Sequence, residues 1–312
     1  MDVEIARRRT VMSMLVDEAC RTVTRRLTDA GQPFLVLKGA TIATWLYADP
    51  AERTYGDLDL LVPPADEAAV VELLGDVGFE PLLRADTAHV LSPEEQPLRN
   101  RHGVDVDLHI ALKGVRLAPE KAWEILSAST VPWNWAGCTV PALAPHARAM
   151  HLALHVAQGG LADAKAAADL RLGLARLEHP TWEAARDLAG ELQALDAFTA
   201  GLAALPEGRE PARRLGLAAL SDVEYQMRAA SVFKPAVKLE RLLADQSWPQ
   251  RLATARAHLF PSADGLRMLD PVGTTTRWGL ARARVRHPFR VLARGVKATR
   301  ERQRFRRTRP VD

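Results

Sequence analysis

The 312-residue sequence contains few of the residues that build disulfide frameworks, thiolate metal sites or membrane spans. Its two cysteines, Cys20 and Cys138, lie far apart without a Cys-x-x-Cys pair, which excludes a disulfide framework and a thiolate zinc site. No run of about 18 apolar residues occurs, and the stretch from Met1 to Arg26 mixes charged with apolar residues, unlike a signal peptide. We therefore expect a cytoplasmic protein without membrane insertion.

The signatures of several common enzyme classes are also missing. The sequence has no P-loop, no Gly-x-Gly-x-x-Gly turn and no Gly-x-Ser-x-Gly elbow. His151 and His155 have the i, i+4 spacing of a zinc helix, but the residues between them lack the glutamate of a metalloprotease. A helix-capping or polar core role is the favoured interpretation of each histidine.

The sequence does contain a pair of carboxylates in an apolar segment, Gly56-Asp-Leu-Asp-Leu-Leu-Val62. Side chains alternate between the two faces of a strand, so Asp57 and Asp59 project together while the leucines turn toward a core. Two anions this close repel each other unless a cation lies between them. Mg²⁺ suits such a pair, because it binds one or two carboxylates and completes its shell with water and phosphates.

A second acidic segment, Asp105-Val-Asp-Leu-His109, also alternates. Asp105, Asp107 and His109 share one face of this predicted strand. A carboxylate here would complete a two-metal clamp if the strand lies beside the one that carries Asp57 and Asp59. A solvent-facing polar edge is the alternative, because half-exposed antiparallel strands alternate in the same way.

The alternation of strands and helices predicts an α/β sheet, followed by a helical region. Periodicity and turn signals predict the following elements: helices over 3–30, 39–47 and 66–75, the last capped by Asp66, and strands over 34–37, 57–62, 78–83 and 104–112. After Pro141 the strand-like alternation disappears, and residues from about 145 to 260 are predicted to be helical.

These residues resemble the uncharacterised nucleotidyltransferase family of the polymerase-beta-like superfamily. Five ordered elements carry the resemblance, over roughly residues 33 to 175: Leu37-Lys38-Gly39, Arg53, Gly56 to Val62, Gly78-Phe79 and Asp107-Leu108-His109. Beyond them, His155 and the Asp169-Leu170 pair look similar to residues of the family's helices, with Gly159-Gly160 as the turn between those helices.

The resemblance implies an α+β fold, in which a polymerase-beta-like core with a small mixed sheet and flanking helices precedes a helical domain. It also implies a nucleotidyltransferase with Mg²⁺, or alternatively Mn²⁺, held by Asp57, Asp59 and Asp107. It implies that the nucleoside triphosphate, expected to be ATP, is contacted by a further set of residues: Lys38, Gly39, Arg53, Gly56, His109, His155 and Asp169. The usual Gly-Ser of the superfamily is replaced by Lys38-Gly39, so Lys38 and Arg53 are expected to supply cationic phosphate contacts. The alternatives are a lysine at a strand end in water and an arginine paired at the surface with Glu52 or Asp49.

The expected domains are an N-terminal helix (1–32), a nucleotidyltransferase core (33–143), a helical domain (144–265) and a basic tail (266–312). Residues 277–312 hold thirteen Lys or Arg and two acids. The favoured interpretation is a solvated, partly helical tail, and contact with nucleic acid or another anionic partner stays open.

Two other functions remain open. One is a catalytically silent scaffold that keeps the fold. The other is a nucleic-acid-binding protein that uses the basic tail. If RNA is the acceptor of the enzyme, this function and nucleotidyl transfer hold together, as in a toxin that modifies tRNA. The acceptor, whether small molecule, peptide, protein or RNA, does not follow from the motifs. Base preference would depend on loops such as Arg84 to Asn100.

Overall fold

The computed structural model describes residues 3–82, 94–135, 137–217, 220, 222–230, 232–245, 247–270 and 272–308. Within these ranges, the side chains of residues 3–10, 245 and 268 are not described. Contacts divide the chain into two compact units. The sheet unit comprises Met1–Leu82 and Glu94–Ala219, and the described part of the C-terminal unit begins at Leu220. The four predicted domains remain a prediction.

The sheet unit is built around one mixed seven-stranded sheet with the order β3-β4-β5-β2-β1-β7-β6. Its strands are β1 (Leu35–Val36), β2 (Asp57–Leu61), β3 (Phe79–Pro81), β4 (Glu95–Asn100), β5 (Asp105–His109), β6 (Thr130–Trp135) and β7 (Cys138–Leu143). Strand β2 pairs parallel with β5 and antiparallel with β1, and β1 pairs parallel with β7. The expected α+β fold with a small mixed sheet is confirmed.

Strand β5 lies between β2 and β4, so it is an interior strand of the sheet. The solvent-facing edge considered for Asp105 to His109 is therefore wrong. Leu58 and Leu60 of β2 and Val106 and Leu108 of β5 are buried in one core. Because side chains alternate, the acidic residues of both strands project from the opposite face.

Nine helices of the sheet unit accompany this sheet in the described residues. They are α1 (Val3–Asp29), α2 (Ala40–Leu46), α3 (Glu67–Asp76), α4 (Pro119–Ala128), α5 (Pro145–Gly159), α6 (Ala164–Arg176), α7 (His179–Glu191), α8 (Leu195–Ala203) and α9 (Pro206–Arg214). Short 3-10 turns cover Pro50–Glu52, Pro64–Asp66 and Gly160–Ala162. Helix α5 packs against α6, α7 and α8, so these helices surround it.

Helix α1 covers the core face of the sheet. Val16, Cys20, Val23 and Leu27 recur at three- and four-residue spacing and are fully buried in the cluster that contains Leu60 of β2. The helix ends where predicted, because Gly31 adopts a φ of 67° that favours glycine.

The sequence did not predict α4, β4, β6 or β7, and one predicted cap is wrong. The Asp66 side chain makes no capping hydrogen bond and accepts one from Gln32 Nε2 at 2.8 Å instead. Part of the loop Arg84 to Asn100 and the end of the strand predicted over 78–83 lie outside the described residues.

The C-terminal unit is helical in its described part. Its helices are α10 (Val223–Ala229), α11 (Lys234–Asp245), α12 (Trp248–Leu259), α13 (Ala263–Leu269) and α14 (Arg277–Thr308). Residues 277–308 are helical and mostly exposed, in line with the favoured interpretation of a solvated, partly helical tail, but the sequence did not indicate that this helix packs against its own unit. Helix α14 runs for 32 residues, and its Arg302 and Arg306 pair with the buried Glu240 of α11. Among the described helices, none is both long and apolar enough to cross a membrane.

Candidate active site

The register of β2 and β5 brings the acidic residues side by side. Asp59 lies level with Asp107 and Asp57 with Asp105, while Leu61 lies level with His109. Asp59 is 1% exposed, whereas Asp57 and Asp107 are partly exposed. The two parallel strands therefore place their carboxylates on one patch of the sheet face opposite the core.

Asp59 has two cationic or hydrogen-bonding partners. Lys38 Nζ lies 2.9 Å from Asp59 Oδ1, and His109 Nε2 lies 3.1 Å from the same oxygen. Burial opposes ionisation of Asp59, but Lys38 and His109 hold the pKa of its carboxyl well below the usual range. Burial would by itself lower the pKa of Lys38, and the three neighbouring aspartates raise it instead. Lys38 is thus not a strand-end lysine in water.

Asp57 and Asp107 differ from Asp59, because neither carboxylate has a hydrogen bond or ion pair among the described residues. Burial, and then the charge of Asp59, raise the pKa of Asp57 above its usual value. The same two causes raise the pKa of Asp107 to about 6. The charge of Lys38 lowers both pKa values in part, but Lys38 pairs with Asp59 and not with these two acids. Two partly buried acids without a paired cation are costly, so this patch suits a positively charged ligand.

Three side chains of the patch can reach one cation. Asp59, Asp107 and His109 each offer one ligand atom, and these atoms all lie within 4.8 Å of one another. Two carboxylate oxygens and an imidazole nitrogen suit a divalent metal such as Mg²⁺ or Mn²⁺. The metal ligands expected from the sequence were Asp57, Asp59 and Asp107, whereas this group contains His109 and lacks Asp57. Asp57 lies two residues from Asp59 on the same face of β2.

The turn after β1 depends on a glycine. Gly39 has a φ of 72°, and a Cβ at this position would lie 3.6 Å from the Asp57 carbonyl oxygen. Such a φ disfavours a side chain. The turn places Lys38 over the acidic patch, and Arg53 Nη1 donates to the Gly39 carbonyl at 2.9 Å. Gly56, just before Asp57, is less confined, since a Cβ there would lie 3.8 Å from Met12 Cγ, in ordinary contact.

Arg53 and Asp169 contact each other inside the protein. Arg53 is 5% exposed and Asp169 is 1% exposed, and the guanidinium donates from Nε and Nη2 to both carboxylate oxygens at 2.7 to 3.0 Å. Tyr47 Oη donates to Asp169 Oδ1 at 2.8 Å. The alternative that pairs Arg53 with Glu52 or Asp49 at the surface is wrong. The bidentate pair joins the loop before β2 to helix α6, and nucleotide contact by either residue remains a prediction.

The two histidines of α5 lie next to each other, with ring centroids 6.5 Å apart. Burial, and then the charge of Lys38, lower the pKa of His151 to about 3 and also lower the pKa of His155. His155 Nε2 lies 3.5 Å from Asp163 Oδ2, at the start of α6. The turn predicted at Gly159-Gly160 is present, since Gly160 ends α5 with a φ of 65°.

A sequence comparison identifies the family. Residues 5–207 match the profile of the uncharacterised nucleotidyltransferase family. The chain belongs to this family. The resemblance inferred from the motifs is confirmed, and the protein is a nucleotidyltransferase, since the match contains every residue of the acidic patch. No curated protein matches the chain.

Solved structures similar to this nucleotidyltransferase are distant. The antibiotic-resistance factor ANT(2'')-Ia is 13% identical, with a TM-score of 0.42 over 59% of this chain and 96% of its own. An antigenic nucleotidyltransferase-like protein from Paracoccidioides brasiliensis is 18% identical, with a TM-score of 0.40, and the match covers 67% of this chain and 92% of that protein. The lincomycin-bound lincosamide antibiotic adenylyltransferase LnuA is 14% identical, with a TM-score of 0.31, and the match covers 47% of this chain and 88% of that protein.

Sequence reasoning missed one acidic residue beside the patch of the nucleotidyltransferase. Glu95 lies opposite His109 in the β4–β5 register, and its Oε2 is 3.6 Å from His109 Nδ1. Lys113 Nζ donates to Glu95 Oε1 at 2.7 Å. Each ring nitrogen of His109 therefore faces a carboxylate. The alternation of β4 could have indicated this residue, but Pro97 interrupts the strand and makes it look like a loop.

Proposed function

We propose that this protein is a Mg²⁺-dependent nucleotidyltransferase that transfers a nucleoside monophosphate from a nucleoside triphosphate, ATP in the first instance, to a hydroxyl or phosphate of an acceptor. The observation that supports it is the patch of three carboxylates on one sheet face, in which Asp59 lies level with Asp107, and Asp57 and Asp107 have no hydrogen bond or ion pair among the described residues. Asp57, Asp59 and Asp107, with His109 beside them, are the residues that would hold the metal. When bound, Mg²⁺ would neutralise the phosphates and the departing pyrophosphate.

The reaction forms one phosphorus–oxygen bond and breaks another. The acceptor oxygen attacks the α-phosphorus, the bond to the β-phosphate oxygen breaks, and pyrophosphate leaves. A proton from an acceptor hydroxyl passes to a base. Asp107 is the proposed base, because its carboxylate is partly exposed and lies level with Asp59 on the neighbouring strand, beside the place where an acceptor would meet the nucleotide.

Other residues of the patch would bind and orient the nucleotide. Lys38 is cationic and partly exposed, with 23% of its side chain accessible, so its ammonium can contact phosphate oxygens without leaving Asp59 uncompensated once a metal is present. Gly39 keeps the backbone of this turn open to the ligand. His155, at the end of α5 with 30% of its side chain exposed, is the proposed contact from the helices.

The first experiment is a thermal-shift screen of the four nucleoside triphosphates with Mg²⁺, Mn²⁺ or EDTA. At about a hundred times its Kd, a bound nucleotide should stabilise the protein by about 2.7 kcal/mol, a shift of several degrees. We expect this shift to require the metal and to disappear in Asp57→Asn/Asp59→Asn. Asp105→Asn is the matched control, since Asp105 lies on the same strand face but pairs with Arg99 at the surface.

A nucleotide that stabilises the protein is then tested for pyrophosphate release with acceptors from each chemical class. A metal-independent shift, or an equal shift in Asp57→Asn/Asp59→Asn, would contradict the proposed site. No shift with any nucleotide, in a protein that melts cooperatively, would favour the catalytically silent scaffold.

A further inference from the structure

Helix α14 carries two apolar stripes on different faces. One stripe faces its own unit: Ala298 is buried in a cluster with Met227, Ala236 and Val237, and Phe305 packs against this cluster. On the same side of the unit, Arg302 and Arg306 are neutralised by Glu240. This face of the helix is therefore satisfied within the C-terminal unit.

The second stripe is exposed. Its members recur at intervals of seven, four, three and four residues, which places them on one side of a helix, and each is more than half exposed: Trp278 (87%), Val285 (66%), Phe289 (70%), Leu292 (55%) and Val296 (52%). The stripe is about 27 Å long at 1.5 Å per residue. Contiguous exposed apolar surface of this kind marks an interaction site more often than scattered single residues do.

Cations border this stripe. Arg282, Arg286, Arg290 and Arg294 follow one another at four-residue spacing and are all exposed. At 3.6 residues per turn this row starts beside the apolar stripe at Arg282 and winds to the opposite side of the helix at Arg294. The whole helix holds twelve Lys or Arg and a single acid, Glu301. Lys297 places its ammonium 4.5 Å from the ring centroid of Phe233, so its charge lies against the unit.

We propose that α14 binds in the plane of an anionic lipid bilayer surface. Its apolar stripe would enter the boundary between headgroups and acyl chains, and the arginine row would contact lipid phosphates. An amphipathic helix with Trp, Phe and Leu on one face and Arg on the other has the composition of interfacial helices. Anionic leaflets attract such polybasic segments over about a Debye length.

Charge and side-chain type favour a lipid surface over other occupants. Pairing two copies of α14 along the stripe would bring together two helices that each carry twelve cations and one acid, which repel. Nucleic acid would satisfy the arginines but leaves Val285, Leu292 and Val296 without apolar partners, since bases stack on aromatic side chains. Only an anionic surface with an apolar interior matches both features.

The test is flotation of the full chain with vesicles of phosphatidylcholine alone or with about one third phosphatidylglycerol. We expect binding to the anionic vesicles at least about tenfold stronger than to neutral ones, weakening from about 0.1 M to about 1 M salt. Phe289→Ser/Leu292→Ser/Val296→Ser removes the stripe but no charge, and should reduce binding at least about tenfold. The matched control, Val11→Ser/Met14→Ser/Leu195→Ser, removes three exposed apolar residues of the sheet unit and should bind normally.

Arg282→Gln/Arg286→Gln/Arg290→Gln tests the charge and should reduce the preference for anionic vesicles, since it removes three of the twelve cations of the helix. Circular dichroism and thermal melting verify that every variant folds. The proposal is overturned if the native chain does not float with anionic vesicles, or if the serine variant floats equally well. It is also overturned if the stripe instead mediates dimerisation, or if an RNA oligonucleotide binds and competes fully with the vesicles.

Discussion

Asp107 is a partly buried carboxyl whose ionisation is opposed by burial and by the charge of Asp59. Its pKa is raised from 3.8 to about 6 in the folded protein, so the folded state binds the proton more tightly than the unfolded state does. In the absence of metal, the contribution of Asp107 to the stability of the protein should therefore fall as the pH rises from about 4 to about 6, whereas the lowered pKa of His151 acts in the opposite direction over the same range. A cation bound at the patch would offset the free-energy cost of ionising Asp107 in the folded protein.

The variant Asp107→Asn should be more stable than the native protein at neutral pH in EDTA, by about 2 kcal/mol, because it has no charge to bury. The difference should vanish near pH 4, where the native carboxyl is protonated. Saturating Mg²⁺ should stabilise the native protein and leave the variant unchanged. Melting curves over this pH range in EDTA and in Mg²⁺ measure both effects, with Asp105→Asn as the control. A variant less stable than the native protein in EDTA at neutral pH would contradict this electrostatic account.

At the scale of residues, the sequence predicted which carboxylates lie together, but not which distant side chains pair with each other. Alternation with period two placed Asp57, Asp59 and Asp107 on common strand faces, because this relation is local. The pairing of Arg53 with Asp169 is not local, since 116 residues separate the two. Only the packing of α6 against the sheet unit brings the two together.

At the scale of elements, helix α5 carries His151 and His155, and its position depends on close packing with α8. Gly201 of α8 lies so near α5 that a Cβ would be 1.9 Å from the carbonyl oxygen of Ala153. Backbone cannot yield as a flexible side chain does, so the two helices would have to separate.

Gly201→Ala should destabilise the protein by about 3 kcal/mol or more, despite the better helix propensity of alanine. Gly190→Ala is the matched control on α7, where the nearest neighbour of a Cβ is Leu195 Cδ1 at 3.9 Å. That control should gain up to about 1 kcal/mol. Chemical denaturation of both variants measures the two effects, and equal effects of the same sign would rule out the packing argument.

The elements that were predicted share strong local signals, and those that were missed lack them. Helix α1 and strands β2 and β5 have clear periodicity. Strand β4 contains Pro97, and β6 and β7 contain Pro132 and Pro141, residues that normally interrupt a strand. Pro132 and Pro141 lie opposite each other in the β6–β7 register. The sheet tolerates them through pairing that no local pattern reveals.

At the scale of the whole molecule, the two units have separate cores. The family match ends at residue 207, within the sheet unit, and the acidic patch lies wholly in that unit. The C-terminal unit has its own buried cluster around Met227 and Ala236, and it carries the exposed stripe of α14. Composition predicted the basic character of this segment, but its long-range pairing of Glu240 with Arg302 was not readable from a run of like charges.

This division predicts that the two proposed activities separate. A chain ended after residue 219 should keep the metal-dependent thermal shift with its nucleotide, because every proposed ligand lies before that point. The same chain should lose flotation with anionic vesicles, because it lacks α14. Conversely, Asp57→Asn/Asp59→Asn in the full chain should lose the nucleotide shift and still float. A shortened chain that melts cooperatively but no longer binds nucleotide would show that the C-terminal unit contributes to the nucleotide site, and one that still floats would place the lipid contact in the sheet unit.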